Sequence, residues 1–178
     1  MHFCIGIAGP SSSGKSTLSR LLAADLNANR FCLDDFFLRK ARRPIVNGMP
    51  SFERPAQYDG VRMADCIRTS LTDGPVVAEG FLLFCYHSIV ELCSARLFIA
   101  VQPEVVTSRR LARRISGNGR SAAVERAFDV HGQSEWESFG ACQALTPNVV
   151  VLDGNLPPHD LLAVTRRAIQ DIHSTEEQ

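Results

Sequence analysis

The sequence contains 178 residues, 45% of them hydrophobic, and its 19 basic and 19 acidic side chains give a formal net charge of zero. A chain of this length buries one full core and is short for two ordinary domains, so we predict a single domain over residues 1–178. Zero net charge and the lack of any apolar run near about 18 residues argue against a general affinity for nucleic acid and against a membrane-spanning helix, so we expect neither as a partner.

Five short apolar runs, rich in branched residues, predict β-strands. The runs are FCIGIA (3–8), RFCL (30–33), PVVAEG (75–80), RLFIAV (96–101) and NVVVLDG (148–154). They are continuous instead of alternating, which is typical of strands buried on both faces of a parallel sheet. Between them, apolar residues recur at helical spacing in 18–26, 61–71 and 161–172. This alternation predicts a three-layer α/β fold with a five-stranded, mostly parallel sheet flanked by helices.

The first strand is followed by a complete phosphate-binding motif, G-x-x-x-x-G-K-[ST], directly before the first helix. Its residues are Gly9, Pro10, Ser11, Ser12, Ser13, Gly14, Lys15, Ser16 and Thr17. The glycines permit a tight turn that aims backbone N–H groups at phosphate, and the helix N-terminus adds positive potential. Lys15 reaches the β- and γ-phosphates, and Ser16 can bind Mg²⁺. We therefore predict a P-loop NTPase fold that binds ATP or GTP, with Mg²⁺ as cofactor.

Two further observations distinguish between classes of P-loop protein. The chain has no N-K-x-D guanine-binding motif, and its third strand ends in Glu79-Gly80 where switch and motor NTPases carry an aspartate. Both observations favour a kinase of a small metabolite. A nucleotide-binding regulatory switch remains the alternative from a different class.

Asp34 and Asp35 close the second predicted strand. Because side chains alternate along a strand, we expect the two carboxylates to point to opposite faces and only one to face the active site. A carboxylate near the γ-phosphate can take the proton of an acceptor hydroxyl and fix its line of attack. The alternative is that both aspartates only begin a turn or a helix. Glu79 is a candidate metal or water ligand.

A run of arginines without acidic neighbours lies between Glu104 and Glu125. Its members are Arg109, Arg110, Arg113, Arg114 and Arg120. Because none has an acidic partner one helical turn away, we expect solvent-exposed guanidinium groups that bind polyphosphate. With Gly117 and Gly119 they predict a short Arg-rich lid at about 109–121. The alternative is a solvated basic helix face or a nucleic-acid patch.

The proline-containing segment 39–58 resists a regular assignment and predicts a long substrate loop. Tyr58 and Asp59 follow it and offer an aromatic face and a carboxylate suited to a base and to ribose hydroxyls. His131 and Trp136 are interpreted as packing or loop residues, with a place in the pocket as the alternative.

Taken together, these strings resemble the uridine kinase superfamily and, within it, the nicotinamide riboside kinases. The strings are GPSSSGKST (9–17), LDDFF (33–37), QYD (57–59), EGFLLF (79–84) followed by Tyr86, the arginines 109, 110 and 113, and VVVLDG (149–154). The resemblance implies transfer of a phosphoryl group from ATP to the 5′-hydroxyl of a riboside. It places nicotinamide riboside ahead of uridine or cytidine, and other small alcohols behind them.

The resemblance also implies a role for individual residues. The implied catalytic residues are Asp34, which accepts the hydroxyl proton, Lys15 and Arg110. The implied Mg²⁺ site is Ser16, Asp34 and Glu79. The implied ATP site is the phosphate-binding motif with Arg109, Arg113, Asp153, Gly154 and Asn155. The implied substrate site is Asp34, Asp35 as its outward partner, Phe36, Phe37, Tyr58, Asp59 and Arg110, with Tyr58 stacked on the base and Asp59 on the ribose hydroxyls.

The cysteines bear on the compartment. Six cysteines include no C-x-x-C pair, which is typical of free thiols in a reducing compartment. The N-terminus enters a strand-like run without a basic leader segment. We therefore expect a cytoplasmic protein, monomeric or in a small homo-oligomer, whose partners are ATP and a nucleoside-like small molecule.

Overall fold

Five parallel strands form the central sheet of the computed structural model, which describes residues 2–39, 43–51, 54–117, 126, 129 and 136–176. The strands of the described chain are β1 Cys4–Ala8, β2 Asn29–Cys32, β3 Ile45–Val46, β4 Met49–Pro50, β5 Val76–Gly80, β6 Ala95–Ala100 and β7 Val149–Asp153. The large sheet has the order β2-β5-β1-β6-β7, and each neighbouring pair is parallel. All five predicted strands are confirmed.

Helices cover both faces of this sheet. The described α-helices are α1 Lys15–Leu26, α2 Gly60–Ser70, α3 His87–Val90, α4 Pro103–Ile115 and α5 Pro158–Glu176. Three of them, α1, α2 and α5, are the helices that the apolar spacing predicts. The Arg-rich α4 was not among the predicted helices, because its second half was predicted to begin a lid. None of the described helices is long and apolar enough to cross a membrane.

The core consists of two apolar clusters, one on each face of the sheet. Alternate residues of β1 supply both, because Cys4 packs with α2 and α3 whereas Ile5 packs with α1 and α5. Every residue of β1 and β5 is buried, as expected for central strands covered on both faces. The predicted three-layer arrangement is confirmed.

The end of β2 differs from the prediction. Leu33–Phe36 form a 3₁₀ turn, so Asp34 and Asp35 do not continue the strand and the alternation argument for them is wrong. The ladder to β5 ends at the Cys32–Glu79 pair, and Leu33 is buried beneath Gly80, where an added Cβ would lie 2.5 Å from Leu33 Cβ. The packing of Leu33 turns the chain away from the sheet before the aspartates.

Two predicted loops are partly described. Segment 39–58 contains the short antiparallel hairpin of β3 and β4. Of the predicted lid, 109–115 belong to α4, and 118–121 lie outside the described residues, as does His131.

Candidate active site

The loop between β1 and α1 is held in a conformation that needs glycine at two positions. Gly9 has φ +146°, and a Cβ there would lie 2.6 Å from the carbonyl oxygen of Ile99. Gly14 has φ +102° and immediately precedes α1. Lys15 Nζ folds back and donates a hydrogen bond of 2.8 Å to the Pro10 carbonyl. These features produce a concave loop at the N-terminus of α1, the arrangement that binds phosphate.

Two hydroxyl groups of this loop are buried without a hydrogen-bond partner among the described residues. They are Ser12 Oγ and Ser13 Oγ. A buried hydroxyl without a partner is costly, so groups in this state mark places where a ligand can complete the hydrogen bonding. The loop therefore fits a polyanionic ligand such as a triphosphate.

A cavity of about 520 Å³ lies beside the loop and brings together four separate parts of the chain. It is lined by Ser11, Ser12, Gly14, Lys15, Ser16, Thr17, Arg20, Asp34, Glu79, Phe81 and Arg113. The predicted metal ligands Ser16, Asp34 and Glu79 thus share one cavity with the predicted phosphate-binding Lys15. Arg20 and Phe81 were not predicted as site residues. Arg20 lies in a segment that was interpreted as a helix, and Phe81 lies in the string EGFLLF, which was used only for the family resemblance.

Asp34 lines this cavity and Asp35 does not. The separation arises from the 3₁₀ turn, in which successive side chains are rotated by about 120°. One of the two carboxylates thus lines the cavity, and the cause is the turn and not the strand alternation that the sequence suggested.

Glu79 is almost completely buried, with 2% of its side chain exposed. Arg30 Nη2 forms an ion pair of 2.6 Å with Glu79 Oε1. Arg30 was not predicted as a site residue, although a guanidinium within a predicted buried strand was an available signal. Burial raises the pKa of the neighbouring Cys32 thiol to about 12, and the charges of Glu79 and Asp34 add to the rise.

The arginines of α4 contact the phosphate-binding loop. Arg109 Nη1 donates to the carbonyls of Ser12 and Ser13, both at 3.4 Å, and Nη2 donates to the Gly154 carbonyl at 2.9 Å. Arg110 is only 6% exposed, and its Nη1 donates to Ser11 Oγ at 3.0 Å. The expectation that Arg110 is solvent-exposed is wrong, because the loop itself supplies an acceptor for its guanidinium.

Two other arginines of the run have different surroundings. Arg113 is exposed and lines the cavity beside Lys15. Arg114 Nη2 forms an ion pair of 3.1 Å with Asp129, which lies 15 positions further along the chain. Arg114 therefore has an acidic partner that is not local in the sequence. Arg120 lies outside the described residues.

A second cavity, of about 340 Å³, extends from the loop along α4 and α5. Its mostly apolar lining is Ser12, Ser13, Gly14, Thr17, Leu18, Arg109, Ala112, Arg113, Gly154, Leu156, Pro158 and Leu161. An apolar cleft that continues from a phosphate-binding loop suits a nucleotide base. Gly154 borders this cleft, whereas Asp153 and Asn155 border an open depression beside Val151. Asp153 Oδ1 accepts hydrogen bonds from the backbone N–H and the Nδ2 of Asn155, at 2.9 and 2.8 Å.

The aromatic residues predicted to bind substrate form a separate group. Tyr58 is 8% exposed and packs edge-on against Phe37 at a centroid distance of 5.4 Å. The guanidinium of Arg62 lies 5.8 Å from the centroid of Phe36. Asp59 caps α2 by accepting a 3.0 Å hydrogen bond from the Arg62 backbone N–H. Within the described chain, none of the predicted Phe36, Phe37, Tyr58 and Asp59 lines the two cavities above.

Trp136 packs beside the phosphate-binding loop. Its ring lies 5.3 Å from Phe81 and 5.9 Å from Phe98. A small cavity of about 30 Å³ separates it from Ser11. Trp136 therefore contributes both to packing and to a pocket wall next to Phe81.

The oxygen ligands of the larger cavity suit Mg²⁺ that arrives with phosphate. Ser16, Asp34 and Glu79 offer one hydroxyl and two carboxylates, and Mg²⁺ prefers oxygen ligands from one or two carboxylates together with phosphates. Within the described residues, no group of three or more histidine, cysteine, aspartate or glutamate side chains could hold a metal alone. The residues present fit an ion shared with a nucleotide.

Comparison with protein-family models gives no match. Among curated proteins, the chain is 31% identical over 136 residues to nicotinamide riboside kinase 2 of Mus musculus, covering 64% of this chain and 69% of that protein. It is 28% identical over 199 residues to nicotinamide riboside kinase 2 of Homo sapiens, covering 98% of this chain and 83% of that protein. It is 27% identical over 150 residues to uridine-cytidine kinase B of Dictyostelium discoideum, covering 67% of this chain and 61% of that protein.

Solved structures with the same fold include a gluconokinase from Sinorhizobium meliloti 1021, with 17% identity, a TM-score of 0.63, and coverage of 99% of this chain and 94% of that chain. Another is a sugar kinase from Janibacter sp. HTCC2649, with 19% identity, a TM-score of 0.67, and coverage of 96% of this chain and 95% of that chain. At these identities the likeness concerns the fold alone, and it confirms the predicted α/β architecture.

Proposed function

The chain belongs to the P-loop nucleoside kinase family of the nicotinamide riboside and uridine kinases, and on that premise we propose that it transfers the γ-phosphoryl group of ATP to the 5′-hydroxyl of a riboside. Nicotinamide riboside is the first acceptor proposed, and uridine or cytidine the second. One observation carries the proposal: Asp34 and the phosphate-binding Lys15 line the same cavity.

The donor side of the mechanism relies on the loop and on α4. The loop amides, Lys15 and the unpartnered hydroxyls of Ser12 and Ser13 would hold the triphosphate, with the base in the apolar cleft next to Gly154. Arg113 is exposed at the junction of the two cavities, where its charge can stabilise phosphoryl oxygens in the transition state. Arg109 already contacts the loop carbonyls, so its proposed role is to hold the loop and the turn at Gly154 together around ATP.

The acceptor side relies on Asp34. Its carboxylate would accept the proton of the 5′-hydroxyl and direct that oxygen toward the γ-phosphorus. Ser16, Asp34 and Glu79 would hold Mg²⁺, which supplies charge neutralisation of the phosphates. The Phe36, Phe37, Tyr58 and Asp59 group would bind the riboside, which requires the acceptor to extend from Asp34 toward the segment after β2.

A coupled assay of ADP release over a panel of acceptors tests the proposal. The panel contains nicotinamide riboside, pyrimidine and purine nucleosides, pantothenate, gluconate and simple sugars. We expect ADP release that depends on a riboside, with a 5′-phosphorylated product identified by mass spectrometry. ATP turnover that no acceptor stimulates would favour the regulatory-switch alternative. Stimulation by a non-riboside alcohol alone would retain the kinase and overturn the proposed acceptor.

A further inference from the structure

Arg30 of β2 reaches across the sheet edge to the site. The register pairs Cys32 with Glu79 and Arg30 with Val77, so Arg30 and Glu79 lie on the same face of neighbouring strands, two residues apart. Val77 on that face packs with the α1 cluster. The side chain of Arg30 therefore lies between the sheet and α1.

Two hydrogen bonds connect Glu79 to α1 through Arg30, and a third continues within α1 to Ser16. Arg30 Nη2 donates to Glu79 Oε1 at 2.6 Å, and Arg30 Nε donates to Ser19 Oγ at 2.8 Å. Ser19 Oγ in turn donates to the Ser16 carbonyl at 3.3 Å, and Ser19 is completely buried. Glu79 and Ser16 lie at the two ends of this series of hydrogen bonds, and they are two of the three proposed Mg²⁺ ligands.

The geometry of a guanidinium suits this connection. Its N–H donors lie in one rigid plane, so the bond to Ser19 fixes the direction in which Nη2 meets Glu79. A lysine offers one compact ammonium group and cannot reproduce both bonds in fixed geometry. A buried carboxylate also needs a partner to stay in place without solvent.

We propose that Arg30 is a positioning residue that fixes the Glu79 carboxylate relative to Ser16, and so sets how strongly the enzyme–nucleotide complex binds its divalent cation. The inference rests on the proposed function for the identity of the cation site. Residues behind metal ligands usually act in this way, and their loss weakens metal binding by about 10- to 100-fold.

Binding of Mn²⁺ to the complex of enzyme and ADP, followed by electron paramagnetic resonance, tests the proposal without an acceptor. Arg30→Met keeps the length of the side chain and removes its donors. We expect its Mn²⁺ dissociation constant to rise about tenfold or more, with metal-free ADP affinity unchanged. In the kinase assay, the Mg²⁺ concentration for half-maximal rate should rise in parallel.

Arg96→Met is the matched control. Arg96 is also a strand arginine, but it pairs with Gly6 on the face of the sheet opposite to Val77 and α1. Its guanidinium donates to the carbonyls of Val90 and Pro147. Its Mn²⁺ affinity should equal that of the wild type. Arg30→Lys should recover only part of the lost Mn²⁺ affinity, because lysine keeps the positive charge and lacks the planar set of N–H donors.

Ser19→Ala decides the matter if Arg30→Met does not fold, because it removes the anchor and leaves the ion pair. It should weaken Mn²⁺ binding in the same direction as Arg30→Met. Where Arg30→Met does fold, Ser19→Ala should add nothing in that background. Unchanged Mn²⁺ affinity in the folded variants would overturn the proposal. Tighter Mn²⁺ binding would also overturn it, because it would mean that Arg30 competes with the cation for Glu79. A failed acceptor screen with these Mn²⁺ results intact would count against the proposed riboside and not against Arg30.

Discussion

Arg110 Nη1 donates a hydrogen bond to Ser11 Oγ over 3.0 Å, although the two residues are 99 positions apart in the chain. The contact packs α4 against the phosphate-binding loop and buries the guanidinium, although no acidic residue lies one helical turn from Arg110 in the sequence. The arginine-rich helix is therefore part of the wall of the site among the described residues. Its individual arginines should have different effects when removed.

Arg110→Ala should lower both activity and stability. Loss of a buried charged donor beside the loop should slow phosphoryl transfer by about 10²-fold or more and lower the free energy of unfolding by about 1–3 kcal/mol. Arg113→Ala should slow transfer without a comparable loss of stability, because Arg113 is exposed. Steady-state kinetics and denaturant unfolding of both variants provide the test. Unchanged kinetics with altered nucleic-acid binding would instead support the basic-patch alternative.

Lys15→Ala should abolish turnover with the fold intact. Lys15 Nζ donates a hydrogen bond to a carbonyl of the loop itself, and its proposed task is to stabilise charge on the β- and γ-phosphates. We expect kcat to fall by about 10²-fold or more, with a thermal transition close to that of the wild type. Near-normal phosphoryl transfer by this variant would remove the basis of the kinase proposal.

Asp34→Asn should separate chemistry from binding. The amide keeps the size of the side chain but cannot take a proton, so kcat should fall by about 10²-fold or more while ATP affinity changes little. Asp35→Asn is the matched control, because Asp35 does not line the cavity. Kinetics on the true acceptor distinguish the two. A larger effect at Asp35 would contradict the assignment of the base, and no effect at either would move that role to Glu79 or Asp59.

Gly9→Ala should disrupt the phosphate-binding loop. The added methyl group would lie 2.6 Å from the Ile99 carbonyl oxygen at a positive φ, so we expect a loss of about 1–3 kcal/mol in stability together with weaker ATP binding. Gly74→Ala is the control, because a Cβ there meets no atom within 4 Å. Calorimetric titration with ATP and denaturant unfolding give the two measurements. Equal behaviour of the two variants would contradict the described loop conformation.

Cys32 should resist alkylation in the folded protein. Its pKa rises from 9.0 to about 12, mainly through burial, so the reactive thiolate is suppressed at pH 8. We expect iodoacetamide to label Cys32 roughly 10²-fold or more slowly in the native chain than in the chain unfolded in urea. Mass-spectrometric mapping over time gives the rates. Above about pH 9 the rate in the unfolded chain should level off, whereas the rate in the native protein should keep rising, because burial raises the pKa of the folded thiol.

The sequence alone determined the scaffold and the phosphate-binding loop. Strands such as FCIGIA, and helices such as the one with Leu18, Leu22 and Leu26 on one face, are encoded by residues close together in the sequence. Local patterns were therefore sufficient to predict them. The loop is likewise contiguous, and its glycines and lysine stand next to one another. The family resemblance, confirmed by the curated relatives, came from the same contiguous strings. The extent of the domain and the roles of the individual site residues stay predictions.

Only the tertiary structure decided which charged side chains meet. The pairing of Arg30 with Glu79 joins residues 49 positions apart, and the burial of Arg110 depends on how α4 packs against the loop. The turn at Leu33–Phe36 depends on Leu33 packing beneath Gly80, so strand alternation could not place Asp34. A side chain's partner depends on the relative positions of distant elements, and hydrophobic periodicity carries information only about the face on which each residue lies.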